Sequence, residues 1–140
     1  MAKLARFGVS LDKSLLVSFD RLCRENKYVN RSEALRDLIR DRLVKEEWKN
    51  VSGEVTAVVT LVYDHEKREL VDKLINIQHD RRSAIIIASQ HIHLNHDNCL
   101  EVIIAKGKAG DVKDLASRLR AAKGVKHGEF VMTTLGEDME

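Results

Sequence analysis

The 140-residue sequence contains no proline, only two cysteines, and few aromatic side chains, which make up 4% of the chain. Breaks between helices and strands must therefore be made by glycine and by polar clusters. Cys23 and Cys99 lie far apart, which does not fit a small disulfide-stapled secreted domain. No apolar run reaches the length of a signal peptide or of a membrane span. These absences predict a cytoplasmic protein with reduced thiols, and they leave Cys99 free to bind a metal.

The chain has the composition of a folded soluble protein, with 44% hydrophobic and 33% charged residues. Its formal net charge is only +2, but the charge is unevenly distributed. Residues 1–50 hold 12 of the 24 Lys and Arg but only 8 of the 22 Asp and Glu, which leaves 12 and 14 for the rest. A basic amino half on a near-neutral body indicates a polyanionic partner for that half.

The amino half reads as one strand followed by two helices. Apolar and polar residues alternate from Leu4 to Leu11, as in a strand with one buried face. Asp12 can cap a first helix, and the spacing from Asn30 to Glu33 is that of a capping box for a second. One strand and two helices cannot bury their own apolar face. We therefore expect residues 1–50 to form an obligate dimer whose strands pair into a ribbon.

The remaining residues, 51–140, predict a second α+β domain. After a linker over residues 50–53, a strand is expected over 54–63, a helix over 65–78, strands over 84–94 and 99–106, a helix over 111–123 and a strand over 125–135. This order, βαββαβ, is the ferredoxin-like pattern.

Three metal-binding residue types cluster in the predicted hairpin of this domain. A turn centred on His96 would set His93 opposite Cys99, and His91 opposite Glu101. Imidazole nitrogens and a thiolate favour a late first-row metal such as zinc, copper or nickel over calcium or magnesium. Glu101 fits better as an acceptor that orients an imidazole than as a ligand. The other face of the hairpin is expected to be the core face, through Ile92, Leu94, Leu100 and Val102.

Three ligands from one hairpin leave the coordination sphere incomplete, and His79 is the obvious fourth, from the same chain or from another subunit. Three imidazoles and a thiolate could make a tetrahedral zinc site or a planar Ni(II) or Cu(II) site, and the sequence does not choose between them. The alternative is a set of surface histidines beside a core cysteine.

A DNA-binding face is predicted from the amino-terminal strand. If the apolar residues face the dimer core, Arg6, Gly8 and Ser10 project from the opposite face of the ribbon, which fits the major groove. The start of the second helix, at Asn30-Arg31-Ser32, offers backbone N–H groups to phosphates. The alternative is an ordinary exposed polar strand face.

Here the sequence resembles the ribbon-helix-helix repressors, through the run Asn30-Arg31-Ser32-Glu33-Ala34-Leu35-Arg36-Asp37. The resemblance implies contacts to DNA bases from Arg6, Gly8 and Ser10 in paired strands. Gly8 departs from the polar residue usual at the middle position, so it can contribute only its backbone or a close approach.

Over nearly its full length the chain resembles the NikR family of nickel-responsive transcriptional regulators. The matching segments are Gln78-His79, His91-Ile92-His93, Asn95-His96-Asp97-Asn98-Cys99-Leu100-Glu101-Val102 and Gly124-Val125-Lys126-His127-Gly128. The resemblance implies an ACT-like carboxy-terminal domain that forms a homotetramer, with DNA-binding dimers at both ends.

The same resemblance implies one square-planar Ni(II) per subunit, held by His91, His93 and Cys99 of one subunit and His79 of a neighbour. It also implies that Glu33 and Asp37 help to bind a second cation between the DNA-binding and sensor domains. In the family, the histidine at the end of this helix lies one residue closer to the His-x-His pair than His79 does.

The leading functional hypothesis is a nickel-dependent repressor that binds operator DNA and controls nickel uptake or homeostasis genes. One alternative is a metalloenzyme, but four protein ligands would leave no open position, and there is no nucleophile motif. Another is a ribbon-helix-helix regulator that senses another metal or a small molecule. The sequence thus predicts a regulator that is not an enzyme.

Overall fold

The structure, a computed structural model, describes residues 3–80 and 84–140. Its elements along the chain are α1 (Lys13–Glu25), α2 (Arg31–Lys49), β1 (Glu54–Asp64), α3 (Arg68–His79), β2 (Ile85–His93), β3 (Asn98–Lys108), α4 (Ala109–Ala121) and β4 (Val125–Thr133). The chain divides into two compact units at Leu43, within α2, and the last three residues, Asp138–Glu140, belong to the first unit. Among the helices of the described residues, none is both long enough and apolar enough to cross a membrane.

The first unit contains α1, a tight turn and the start of α2. The turn is closed by the backbone N–H of Tyr28, which donates to the carbonyl of Cys23 at 2.9 Å, and Lys27 there takes a positive φ of 61°. Asn30 then caps α2 at the predicted position, because its Oδ1 accepts the backbone N–H of Glu33 at 2.9 Å. Asp12 precedes α1 but makes no such side-chain bond.

Lys3–Leu11 form no strand within the described part of the single chain, although the sequence predicts one. A strand needs a partner for its backbone N–H and C=O groups, and the predicted partner is the same segment of a second copy. The apolar members of the alternation remain in solvent, with Phe7 72% and Val9 59% exposed. The strand therefore stays a prediction for the dimer.

The second unit has the βαββαβ order predicted from the sequence. Its four strands form an antiparallel sheet in the order β2-β3-β1-β4. The helix α4 buries the four residues that its spacing predicted, Val112, Leu115, Ala116 and Leu119. The protein is therefore an α+β protein, and the two central strands, β1 and β3, carry the core of this unit.

The sheet has one buried face and one open face. Alternate residues of β1 and β3 are buried in one hydrophobic core with residues of α3 and α4, among them Val59, Leu61, Ile103, Leu74 and Leu115. The prediction that Ile92, Leu94, Leu100 and Val102 form the core face is wrong, since Ile92 is 39% and Leu94 51% exposed. The helices α3 and α4 cover the opposite face of the sheet instead, and no described helix of this unit covers the face that carries Ile92 and Leu100.

Candidate metal centre

The hairpin of β2 and β3 carries the predicted metal ligands in the expected register. His91 pairs with Glu101, and His93 pairs with Cys99. The turn between the strands is held by Asn95, whose Oδ1 accepts the backbone N–H groups of Asp97 and Asn98 at 3.1 and 2.9 Å. Cross-strand partners share a face of the sheet, so these four side chains start from one side of the hairpin.

The four side chains differ in burial across the hairpin. Cys99 is 1% and Glu101 2% exposed, because β3 is a central strand covered by helices. The side chain of His91 is 50% exposed, because β2 lies at the edge of the sheet. The site therefore has a buried thiol at its base and imidazoles at its rim, an arrangement accessible to an ion from solvent.

Glu101 is the centre of a buried hydrogen-bond network. Its Oε2 accepts the hydroxyl of Tyr63 at 2.6 Å, and its Oε1 accepts the amide of Gln78 and the hydroxyl of Ser89, each at 3.0 Å. Nε2 of His91 lies 3.4 Å from the same Oε1. Every oxygen of the carboxylate thus has a donor, as a buried carboxylate requires.

This network confirms that Glu101 stands beside His91, and it adds three residues that the sequence analysis missed. Tyr63 pairs with Cys99 across β1 and β3, strands separated by more than thirty residues in sequence. Gln78 and Ser89 come from α3 and β2. The only available signal was Gln78 beside His79 in the family-like segment.

Cys99 is a free thiol whose surroundings favour its protonated form. Burial raises its pKa, and the carboxylates of Glu101 and Asp64 act in the same direction, whereas the nearby hydroxyl of Tyr63 lowers the pKa. The pKa of Tyr63 is raised as well, mainly by burial and then by its hydrogen bond to Glu101. Since a thiol must lose its proton to bind a metal, binding here releases a proton.

His79, the last residue of α3, is exposed and does not join the hairpin residues within one chain. It lines a surface hollow together with Ile85 and Ser89 of β2. In the described parts of the chain, only Glu66, His96 and Asp97 form a set of three whose ligand atoms all lie within 4.8 Å of one another. His79, His91, His93 and Cys99 are therefore not gathered by a single subunit.

The predicted DNA-contacting residues lie on the surface of the first unit. Arg6, Gly8 and Ser10 are exposed, and a Cβ added at Gly8 would meet no atom within 4 Å. Arg31 is engaged by a bidentate ion pair, in which its Nε and Nη2 donate to the two carboxylate oxygens of Asp20 at 2.9 Å. This pair holds α1 against the start of α2, where Asn30 and Ser32 are exposed.

Glu33 and Asp37, the predicted second-cation pair, lie one turn apart on α2. Glu33 forms an ion pair with Arg36 at 2.8 Å. Asp37 accepts the hydroxyl of Tyr28 at 2.7 Å and lies 3.6 Å from Arg40. Each carboxylate already has a partner within its own unit, and their role with a cation stays a prediction.

Two family profiles match consecutive parts of the chain. Residues 56–133 match the NikR C terminal nickel binding domain, and residues 5–46 match the ribbon-helix-helix protein family named for copG. The first match contains all four predicted ligands, and the second contains the predicted DNA-binding residues.

Several relatives match the chain over its whole length, and their names assign them provisionally as nickel-responsive regulators. One from Nitratidesulfovibrio vulgaris (strain DSM 19637 / Miyazaki F) is 51% identical over 139 residues, which is 99% of both chains. One from Thermococcus onnurineus is 49% identical over 98% of this chain and 99% of its own. One from Solibacter usitatus is 49% identical over 100% of both.

Proposed function

The chain belongs to the NikR family of nickel-responsive regulators, and from that premise we propose that it represses transcription by binding operator DNA when nickel is bound. Its regulated genes would be those of nickel uptake or homeostasis. Since the family is one of regulators, we propose no catalytic role. The proposed place of action is the cytoplasm, where the DNA is.

The proposed nickel ligands are His91, His93 and Cys99 of one subunit and His79 of a neighbour, with one Ni(II) per subunit. The single observation that carries this proposal is the cross-strand register, which puts a buried thiol directly opposite one histidine and a buried carboxylate opposite the other. Two imidazoles and a thiolate are a donor set that suits nickel. Bound there, the ion would supply a cross-link between subunits.

Two side chains of the protein, those of Glu101 and Cys99, would prepare this site for the ion. Glu101 is fixed by Tyr63 and Gln78, and its Oε1 is placed to accept a hydrogen bond from Nε2 of His91. Such an acceptor sets the tautomer and the orientation of a ligating imidazole. Cys99 holds its proton until an ion competes for the sulfur, because its pKa is raised by burial.

A neighbouring subunit as the source of the fourth ligand is supported by the surfaces that the single chain leaves open. His79 is exposed at the end of α3. The open sheet face presents a row of apolar side chains, namely Val58, Val62, Ile92, Leu100, Val102, Ile104 and Val131. An apolar patch of this kind is typical of an association surface. We propose that it contributes to a homotetramer.

The described residues of the first unit form almost no hydrophobic core, and this observation supports the proposed DNA-binding dimer. Only Cys23 and Ala34 are buried among its described residues, while Phe7, Val9 and Leu15 are at least half exposed. A unit with so little burial is not stable alone. Pairing with a second copy would bury these residues and turn Arg6 and Ser10 toward the major groove.

Selection of genomic DNA fragments tests the proposal and does not require a known operator sequence. The full chain is incubated with a fragment library, once with stoichiometric Ni(II) and once with a chelator, and bound fragments are sequenced. We expect strong enrichment of a two-half-site sequence only with Ni(II), because the ligand can shift the equilibrium only by binding one arrangement better. Equal enrichment in both conditions would contradict a nickel-dependent repressor.

Cys99→Ser tests the metal site, and Cys23→Ser, which removes the other thiol of the chain, is its matched control. The first variant should lose the nickel-dependent enrichment and the thiolate-to-nickel absorption of the loaded protein, and the second should keep both. If zinc or cobalt enriched DNA fragments with the wild-type chain as strongly as nickel does, the alternative of a sensor for another metal would be favoured.

A further inference from the structure

Two turns of the second unit meet beside the hairpin that carries the proposed ligands. One, residues 65–67, joins β1 to α3, and the other, residues 94–97, joins β2 to β3. The backbone N–H of His65 donates to the carbonyl of Asp97 at 3.2 Å. Nε2 of His65 lies 3.0 Å from the carbonyl of His96, and since that oxygen can only accept, the ring donates. The two turns are thus joined at two points.

The joined turns bring three ligand-bearing side chains together at the surface. One ligand atom each from Glu66, His96 and Asp97 lie within 4.8 Å of one another. Nδ1 of His96 and Oδ1 of Asp97 are 2.9 Å apart. Two ligands at about 2.1 Å from one ion, at a right angle, would be about 3.0 Å apart. This pair therefore already has the spacing of adjacent ligands.

We propose that Glu66, His96 and Asp97 form a second divalent-metal site, separate from the site of Cys99. The carboxylate of Glu66 needs only a small rotation, because its ligand atom lies within 4.8 Å of the other two, near the separation of about 4.2 Å between opposite ligands of one ion. Both turns contribute a ligand, so an ion here would bridge them. No residue of this site belongs to the proposed nickel set.

The ligand types determine which ions this second site would bind. One imidazole and two carboxylates suit first-row divalent ions such as nickel, zinc or manganese, with water in the remaining positions. The side chains of His96 and Asp97 are 89% and 64% exposed, so an ion must immobilise mobile groups. Without a thiolate, and with this loss of conformational entropy, the site binds more weakly than the hairpin site.

The second site stands close to the first, so the test must separate them. The rings of His65 and His93 pack with their centroids 4.7 Å apart, which connects the joined turns to a proposed nickel ligand. Nickel binding is therefore measured in the full-length double variant His91→Ala, Cys99→Ser, which lacks the hairpin site. Calorimetric titration with Ni(II) alone gives the stoichiometry and affinity of what remains.

We expect about one weakly bound Ni(II) per subunit in this background. Adding Glu66→Gln and His96→Ala should lower the remaining affinity at least tenfold, whereas adding His127→Ala, an exposed histidine on β4, should leave it unchanged. Because these side chains are exposed, the substitutions should not alter the circular dichroism spectrum.

Two outcomes would overturn the second site: no nickel binding in the background variant, or the same affinity with and without Glu66 and His96. If the background variant does not fold, the wild-type chain titrated beyond its first equivalent gives the same comparison. Failure of the hairpin site is a different result, since it would show as strong nickel binding that survives Cys99→Ser.

Discussion

At Glu101, a buried carboxylate is held by neutral donors on three other elements, and one imidazole faces it. Because such acceptors orient metal-ligating histidines, we expect Glu101→Gln to weaken Ni(II) binding by about 10–100-fold. Competition with a chelator of known affinity measures the change. Glu129→Gln, at an exposed glutamate on β4, serves as control. A change below twofold in Glu101→Gln would remove this residue from the site.

Cys99 and Tyr63 together predict an alkaline loss of stability in the metal-free protein. The ordinary pKa values of the two groups are 9.0 and 10.0, and both are raised in the folded state. The folded chain keeps protons that the unfolded chain releases, so stability is unaffected below about pH 9 and falls as pH rises above it. Urea unfolding at pH 7, 9 and 10.5 measures this loss.

Tyr63→Phe is the control for the alkaline effect, because it removes one of the two groups. The variant should be less stable at every pH, since Glu101 loses its closest donor. Its stability should nevertheless fall less steeply between pH 9 and 10.5. An identical slope in both proteins would show that Tyr63 does not contribute.

The local part of the site was predictable from sequence, and the long-range part was not. The spacing of His93 and Cys99 around a four-residue turn determines which residues face each other, and this register is confirmed. Tyr63 reaches the site only through the pairing of β1 with β3. Such pairing depends on the whole sheet, so no local pattern could have placed this hydroxyl on Glu101.

Among the elements, β3 shows why a core face can be misjudged. Cys99, Ile103 and Ala105 are apolar on one side, while Leu100 and Val102 are apolar on the other. Alternation therefore does not distinguish the two faces in this strand. Which face of β3 is buried depends on where α3 and α4 pack. The right-handed crossovers typical of such folds determine that position, and the hairpin does not.

The two helix starts of the first unit allow a direct comparison of capping. Asn30→Ala should lower the free energy of unfolding by about 1 kcal/mol, because it removes the bond to the backbone N–H of Glu33. Asp12→Ala should cost less, because Asp12 makes no side-chain bond at the start of α1. Urea unfolding at fixed protein concentration measures both. Equal losses would contradict the role of Asn30 as a cap.

At the scale of the whole molecule, the open sheet face predicts how subunits associate. Val131→Lys places a charge on this face at a position that is 61% exposed in the single chain, so the fold should be retained. If the face is buried between subunits, the cost of burying the charge should convert tetramers to dimers at micromolar concentration. Sedimentation velocity measures the masses.

Val51→Lys, at a position 64% exposed in the segment before β1, is the control and should leave the assembly unchanged. A Val131→Lys protein that sediments like the wild type would exclude this part of the sheet from the interface.

What the sequence could not provide at this scale is the second chain. The sequence assigns the amino-terminal strand to a dimer because one strand and two helices cannot bury their own apolar face, and the family resemblance implies that the fourth ligand, His79, comes from a neighbour. The single chain leaves Lys3–Leu11 without a strand partner and His79 apart from the hairpin. Both assignments are statements about assembly, which a structure of the oligomer would test directly.

The buried position of Glu101 also has a consequence for electroneutrality. The formal charges of a divalent ion, one thiolate, one carboxylate and neutral imidazoles sum to zero. A monovalent ion such as Cu(I) would instead leave one negative charge uncompensated in the buried part of the site. An uncompensated buried charge is costly. The carboxylate would therefore select by valence, independently of coordination geometry, and Glu101→Gln should shift the relative affinity toward Cu(I).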